Sequence, residues 1–347
     1  MQWPDTIESL GAIAHRKSWK LFLATLVLAL LPVSISSAAC TNCFGGDESW
    51  SGTTAWGPNQ PFYGLYGTFF ADVSGDGMAD AIAVESNSIR VRLSGNGPFL
   101  ASTLWSTYGY WGSVKSAFAD VTGDRRADAI AVNTGGITVR PSNGAMFGTS
   151  SPWTLNGFFG NRGTYFADVT GDGLADAIAV NDESVAYGRV VVRRSMASAF
   201  GGNEEWSGAP YYGTLGTYFA DVTGDGLADA IVVNDWGVTV RRSDGSRFLP
   251  NEAWTTNPYY GSVGTYVADV TGDRLADAIV VNAGSITVRR SDGNRFLPNE
   301  TWSTAPFAGQ VGTFFVNVDC ARYADAVKVD TSGITVRRAF PVSYGCL

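Results

Sequence analysis

Histidine is almost missing from this chain. The 347 residues hold one, His15, inside the leader expected at residues 1–39, so the mature chain has none and Ser-His-Asp and Cys-His catalytic groups and histidine-ligated zinc are excluded from it. Lysine is nearly as scarce, with only Lys115 and Lys328 beyond residue 39. No stretch after residue 39 keeps a helical period, which excludes a helix bundle. Long apolar runs are limited to one, "LFLATLVLALLPVSI", which falls short of the roughly 20 residues a membrane-spanning helix needs. The basic "HRKSWK" precedes it, and small residues at Ser37 and Ala39 follow. That order reads as a secretory signal peptide cut near Ala39–Cys40, with an uncleaved anchor as the alternative. The expected organisation is a signal at 1–39 and a single domain over 40–347, secreted or held at the cell surface.

Basic charge is also in short supply. Setting aside residues 1–39 removes Arg16, Lys17 and Lys20 with Asp5 and Glu8, leaving 21 basic and 30 acidic side chains, a net of −9. Such a surface does not suit nucleic acid, and nothing in the mature chain calls for membrane insertion. Cation binding fits it better.

What the chain has is repetition. "DVSGDGMAD" opens at Asp72, "DVTGDRRAD" at Asp120, "DVTGDGLAD" at Asp168 and Asp221, and "DVTGDRLAD" at Asp269. A decayed sixth copy, "NVDCARYAD", opens at Asn317. The starts are evenly spaced except ahead of Asp221, where "NDESVAYGRVVVRR" carries a short insertion. Each unit reads as four short strands rich in Phe, Val, Ile, Tyr and Thr, separated by Gly, Asn, Asp and Ser turns. Four strands in a period of roughly 40–50 residues make one propeller blade. The predicted fold is therefore all-β, a six-bladed β-propeller of four-stranded antiparallel blades. A phenylalanine stands six residues before a tryptophan in each unit, from Phe99–Trp105 to Phe296–Trp302, except the last, which ends before that strand. The missing piece is at the other end, "FGGDESW", with Phe44 and Trp50 in register. The N-terminal strand is thus expected to complete blade six and close the ring.

These acidic repeats resemble the FG-GAP/VCBS family, whose "D-x-[DN]-x-D-G-x-x-D" loops join two strands of a blade and bind calcium. The resemblance covers roughly residues 44–340. Integrin α-subunit heads and some fungal lectins are built from similar repeats. It implies calcium, whose six to eight oxygens come largely from carboxylates. The implied ligands at loop positions 1, 3, 5, 7 and 9 are Asp72, Ser74, Asp76, Met78 and Asp80 in copy one. In copy three they are Asp168, Thr170, Asp172, Leu174 and Asp176, and in copy four Asp221, Thr223, Asp225, Leu227 and Asp229. Copies two and five offer Asp120, Thr122, Asp124 and Asp128, and Asp269, Thr271, Asp273 and Asp277. Those two carry Arg125 and Arg274 where glycine is expected, and all five have a neutral hydroxyl at position 3. The alternative is a metal-free turn held by Asp side chains on backbone amides.

Copy six has lost the loop pattern at Ala321 and gained Cys320. With Cys40, Cys43 and Cys346 this makes four cysteines, read as two disulfides at the blade-six seam. The six-fold tryptophans read as packing, and the paired arginines of "VRR" as partners of blade carboxylates or covers over rings. The inter-blade loops each carry aromatics before glycine, as in "PFYG" and "PYYG". Candidate ligand residues there and on neighbouring turns are Tyr63, Trp111, Phe159, Tyr187, Tyr212, Trp236 and Tyr260, on the face opposite the acidic loops. Aromatic faces beside Asn, Asp and Arg suit a pyranose ring. The expected function is non-catalytic binding of a glycan or, alternatively, adhesion to an extracellular protein. A polysaccharide lyase or hydrolase is the third reading, against which Glu48, Glu204, Glu252 and Glu300 share one register rather than forming an asymmetric pair.

Overall fold

The computed structural model describes residues 43–50, 62–185 and 189–340. The leader at 1–39, Cys40, Cys346 and Tyr187 lie outside them. Among the described residues there are strands and no helices, and so no helix long and apolar enough to cross a membrane.

Blade four shows the unit. Gly216–Ala220 pairs antiparallel with Asp229–Asn234, that strand with Gly237–Arg241, and the last with the two-residue strand Glu252–Ala253. Six such four-stranded sheets follow one another along the chain. The first strands of adjacent blades touch all the way round, including Gly312–Val316 against Thr68–Ala71, so the ring is closed. These first strands are innermost and the short fourth strands form the rim. Blade six takes its fourth strand from Glu48–Ser49, which pairs with Gly333–Arg337, as the Phe–Trp register predicts. Next to it, Cys43–Phe44 pairs with Ala339–Phe340.

One aromatic pair recurs at every junction between blades. The phenylalanine of each blade packs on the tryptophan of the blade before it, with ring centroids 5.1 to 5.5 Å apart at all six junctions. The seam uses Phe44 on Trp302 in the same way. In five junctions the phenylalanine amide also donates to that tryptophan's carbonyl, as in Phe248 to Trp206 at 2.9 Å. Each core cluster spans two blades: Val180, Val192 and Trp206 of blade three enclose Ala230, Val232 and Phe248 of blade four. The tryptophans are packing residues.

The glycine that ends each aromatic loop has a steric cause. A Cβ on Gly213 would stand 2.0 Å from the Gly216 carbonyl oxygen and 2.5 Å from that of Val233. The loop can therefore tuck against the second strand only without a side chain there.

Candidate functional site

The acidic loops lie between the first and second strands of each blade. In all five intact copies the position-1 carboxylate is used by the loop's own backbone. Asp168 Oδ1 accepts the Gly171 amide at 2.6 Å and Oδ2 the Gly173 amide at 2.8 Å. Asp72, Asp120, Asp221 and Asp269 make the equivalent pair of bonds. The position-5 carboxylates of Asp76, Asp124, Asp172, Asp225 and Asp273 each accept the position-7 amide, that of Met78, Arg126, Leu174, Leu227 or Leu275. Position-3 hydroxyls turn inward too, with Ser74, Thr170, Thr223 and Thr271 donating to the position-1 carboxylate at 3.3 Å.

Position 9 behaves differently. Asp80, Asp128, Asp176, Asp229, Asp277 and Asp325 open the second strand of each blade and are fully buried. Asp229 accepts the Val222 amide at 3.2 Å on one oxygen and the Ser243 amide at 2.9 Å on the other. It thereby ties the acidic loop to the turn between strands three and four. Blade six keeps this staple through Asp325, Val318 and Ala339 although its loop has decayed. Burial outweighs the amide bonds and raises these carboxyls from 3.8 to about 6 at Asp80, Asp128 and Asp176, and to about 7 at Asp229 and Asp325. Among the described residues no three acidic, cysteine or histidine side chains converge as a metal cage. In this geometry the loop acids are held by amides.

A second set of features lies between blades, on the rim. Cavities of about 510, 470 and 540 Å³ open at the junctions of blades one and two, three and four, and four and five. Each is walled by the tryptophan ending one blade, Trp105, Trp206 or Trp254, and by the arginine ending the next blade's third strand, Arg140, Arg241 or Arg289. The turn after that arginine closes the far side with Phe147, Phe248 or Phe296. A smaller cavity of about 150 Å³ in blade one is lined by Tyr63, Arg90 and Arg92.

The two arginines of "VRR" do different things. The second pairs with the blade's glutamate, as in Arg242 to Glu252 at 3.0 Å, and the same glutamate accepts the Trp254 indole N–H at 3.2 Å. Glu48, Glu204 and Glu300 repeat this arrangement. These acids are structural partners. The first arginine lies over the buried ring of the inter-blade loop, Arg241 on Tyr211 at 4.4 Å.

Of the predicted ligand aromatics, Tyr63, Phe159, Tyr260 and Trp236 are exposed, Trp236 most at 55%. Trp111 stacks on Tyr66 at 4.1 Å, and Tyr212 lies under Arg162 at 4.6 Å. Tyr63 lines the blade-one cavity; the others do not line the four cavities above. Cys43 is buried in the seam strand, and Cys320 lies exposed in the blade-six loop with its sulfur 3.8 Å from that of Met78.

Similarity to known proteins follows the repeats. A model described as FG-GAP-like repeat matches residues 72–131, 120–179 and 221–280, while no curated protein sequence matches the chain. An Agrocybe aegerita lectin recognising non-reducing terminal N-acetylglucosamine superposes with a TM-score of 0.57 at 20% identity, over 75% of this chain and 73% of its own. The Photorhabdus luminescens Tc holotoxin pore matches 86% of this chain with a TM-score of 0.60 at 17% identity, over 15% of its own length. At these identities the likeness is one of fold. The chain is a six-bladed β-propeller that carries FG-GAP-like repeats over residues 72–179 and 221–280.

Proposed function

We propose that this propeller is an exported, non-catalytic binding module for glycans, and that the inter-blade cavities of the rim are its sites. The observation that carries this is the recurrence of one aromatic-and-arginine cavity at three junctions. A sugar ring presents an apolar face and hydroxyls, and each cavity offers an arginine and other polar groups beside the edges of a largely buried tryptophan and phenylalanine, with the exposed Tyr108 added at the blade one–two cavity. Recurrence itself favours binding, since weak equivalent sites add avidity whereas catalysis needs one asymmetric group. The lectin among proteins of similar fold supports the reading. Export rests on the sequence of residues 1–39.

A glycan array with the full chain tests it. Hits are expected, and they should weaken on Tyr108→Ala, whose exposed ring lines the blade one–two cavity. Hits lost instead on Trp236→Ala and Tyr260→Ala would move the site to the aromatic face. No glycan signal beside specific capture of a protein would favour adhesion, which the exposed Phe159, Trp236 and Tyr260 also suit. Sugar released from polysaccharide by the pure protein would overturn the non-catalytic reading.

Calcium at the acidic loops is a separate part of the proposal, and it rests on sequence spacing. A cation entering the Asp168 loop has to take oxygens that now accept the Gly171 and Gly173 amides, with Asp176 still engaged by Val169 and Ser195. Such a site belongs in the roughly millimolar class. Melting in millimolar calcium against EGTA should raise the midpoint through preferential binding to the native state; an unchanged midpoint sinks this part.

A further inference from the structure

The arginines that end the third strands occupy one register: Arg92, Arg140, Arg193, Arg241, Arg289 and Arg337. Each guanidinium lies 4.4 to 4.9 Å from the centre of an aromatic ring. In blade six the charge is matched. Asp47 bonds Arg337 Nε and lies 3.7 Å from Lys328. Asp47 stands three residues after Phe44, and the same register elsewhere holds Ser102, Ser150, Asn203, Asn251 and Asn299. All five are neutral.

None of the other five arginines forms an ion pair among the described residues. Arg193 and Arg241 reach only the amide oxygens of Asn203 and Asn251, at 2.6 and 2.8 Å. The Nε atoms of Arg92, Arg140 and Arg289 are buried with no hydrogen-bond partner, and Arg92 as a whole is 2% exposed. A cation taken out of water without a counter-charge is costly, and a ligand that supplies the anion recovers that cost. Arg140, Arg241 and Arg289 line the three large cavities, and Arg92 lines the small one.

Resting on the glycan reading above, we propose that the ligand carries a carboxylate, placed on Arg140, Arg241 and Arg289 as Asp47 is placed on Arg337. Guanidinium and carboxylate match in charge and in fork geometry. The chain's net charge of −8 repels polyanions at long range. The chemistry is therefore a single acidic sugar, such as a uronate at a chain end, rather than a highly charged polymer.

Calorimetric titration of the full chain with methyl β-glucuronide and methyl β-glucoside tests this. The expected result is a preference of roughly tenfold or more for the glucuronide, as a charge-assisted pair gives over a neutral one. Asn251→Asp and Asn299→Asp supply the built-in carboxylate of blade six to two cavities, so together they should remove two sites while the melting midpoint holds. Asp47→Asn should add a site at blade six. Equal affinity for the two glycosides, or site numbers unmoved by the Asn→Asp pair, overturns the carboxylate and leaves the glycan reading standing. Array hits confined to neutral sugars do the same. Tighter binding of an acidic peptide than of any glycan overturns both.

Discussion

Phe44→Ala attacks the point at which the ring closes. Phe44 is buried between Trp302, 5.2 Å away, and Phe315, 5.8 Å away. Truncating such a ring costs about 3–5 kcal/mol, from lost transfer energy and the cavity left behind. The same substitution at Phe248, which packs on Trp206 at 5.3 Å, should cost a similar amount. The two variants should nevertheless fail differently. Phe248 sits in a blade whose four strands are continuous in sequence. Phe44 anchors a segment that reaches blade six from the other end of the chain, through the Cys43–Phe340, Phe44–Ala339, Glu48–Val336 and Ser49–Thr335 pairing, the Gly45 amide on Arg338 at 2.8 Å, the Trp50 amide on Ile334 at 2.9 Å, and the Asp47 and Glu48 ion pairs. Loosening it frees Gly333–Arg337 as an open edge. Denaturant melts should therefore show comparable losses. Hydrogen exchange should speed at residues 333–337 in Phe44→Ala alone, with concentration-dependent association by light scattering. A loss under about 1 kcal/mol, or identical exchange patterns in the two variants, would refute closure through this strand.

Two further predictions concern the loops. The staple aspartates have folded pKa values raised above 3.8, to about 6 at Asp80, Asp128 and Asp176 and about 7 at Asp229 and Asp325. Their contribution to stability is therefore complete at low pH and is lost as pH rises through 6 to 7. In chelator, the melting midpoint should fall between about pH 4 and pH 7, on the order of 1 kcal/mol per group; a midpoint that rises over that window contradicts the burial argument. Arg274 holds φ at 70° where copies one, three and four have Gly77, Gly173 and Gly226. Arg274→Gly should stabilise the protein by about 0.5–1 kcal/mol, since a left-handed side-chain residue is strained; equal or lower stability by chemical denaturation would mean the arginine compensates through its side chain.

Much of the architecture was legible because it is periodic. Strand order, blade number and the displaced fourth strand all follow from the Phe–Trp register, whose first member stands alone at Phe44 and Trp50. The direction of the ninth-position carboxylates was not legible. Spacing places Asp229 near Asp221 and Asp225, but whether it faces the loop or the backbone depends on Ser243, on the far side of the third strand, whose amide it accepts. The recurring Ser142, Ser195, Ser243 and Ser291 after the arginines were the available signal. The rim cavities were hidden for a related reason. Trp206 and Arg241 belong to different blades, and no local pattern reports the space between them. The role of the arginines emerges only when Asp47 is set beside its five neutral counterparts.

Closure by residues 43–50 also has a consequence in time. The chain is made from its N-terminus, so the segment bearing Glu48 emerges first and waits for Val336, its partner in the last blade to be made. Blades one to five contain their own four strands and can mature in order as they appear, whereas the first segment out is the last to be used. Until then it and the final blade are two complementary unpaired edges, free to meet on one chain or between two. Crowded synthesis or export therefore favours exchange of this strand between neighbouring molecules, giving linked rings whose blades are individually correct.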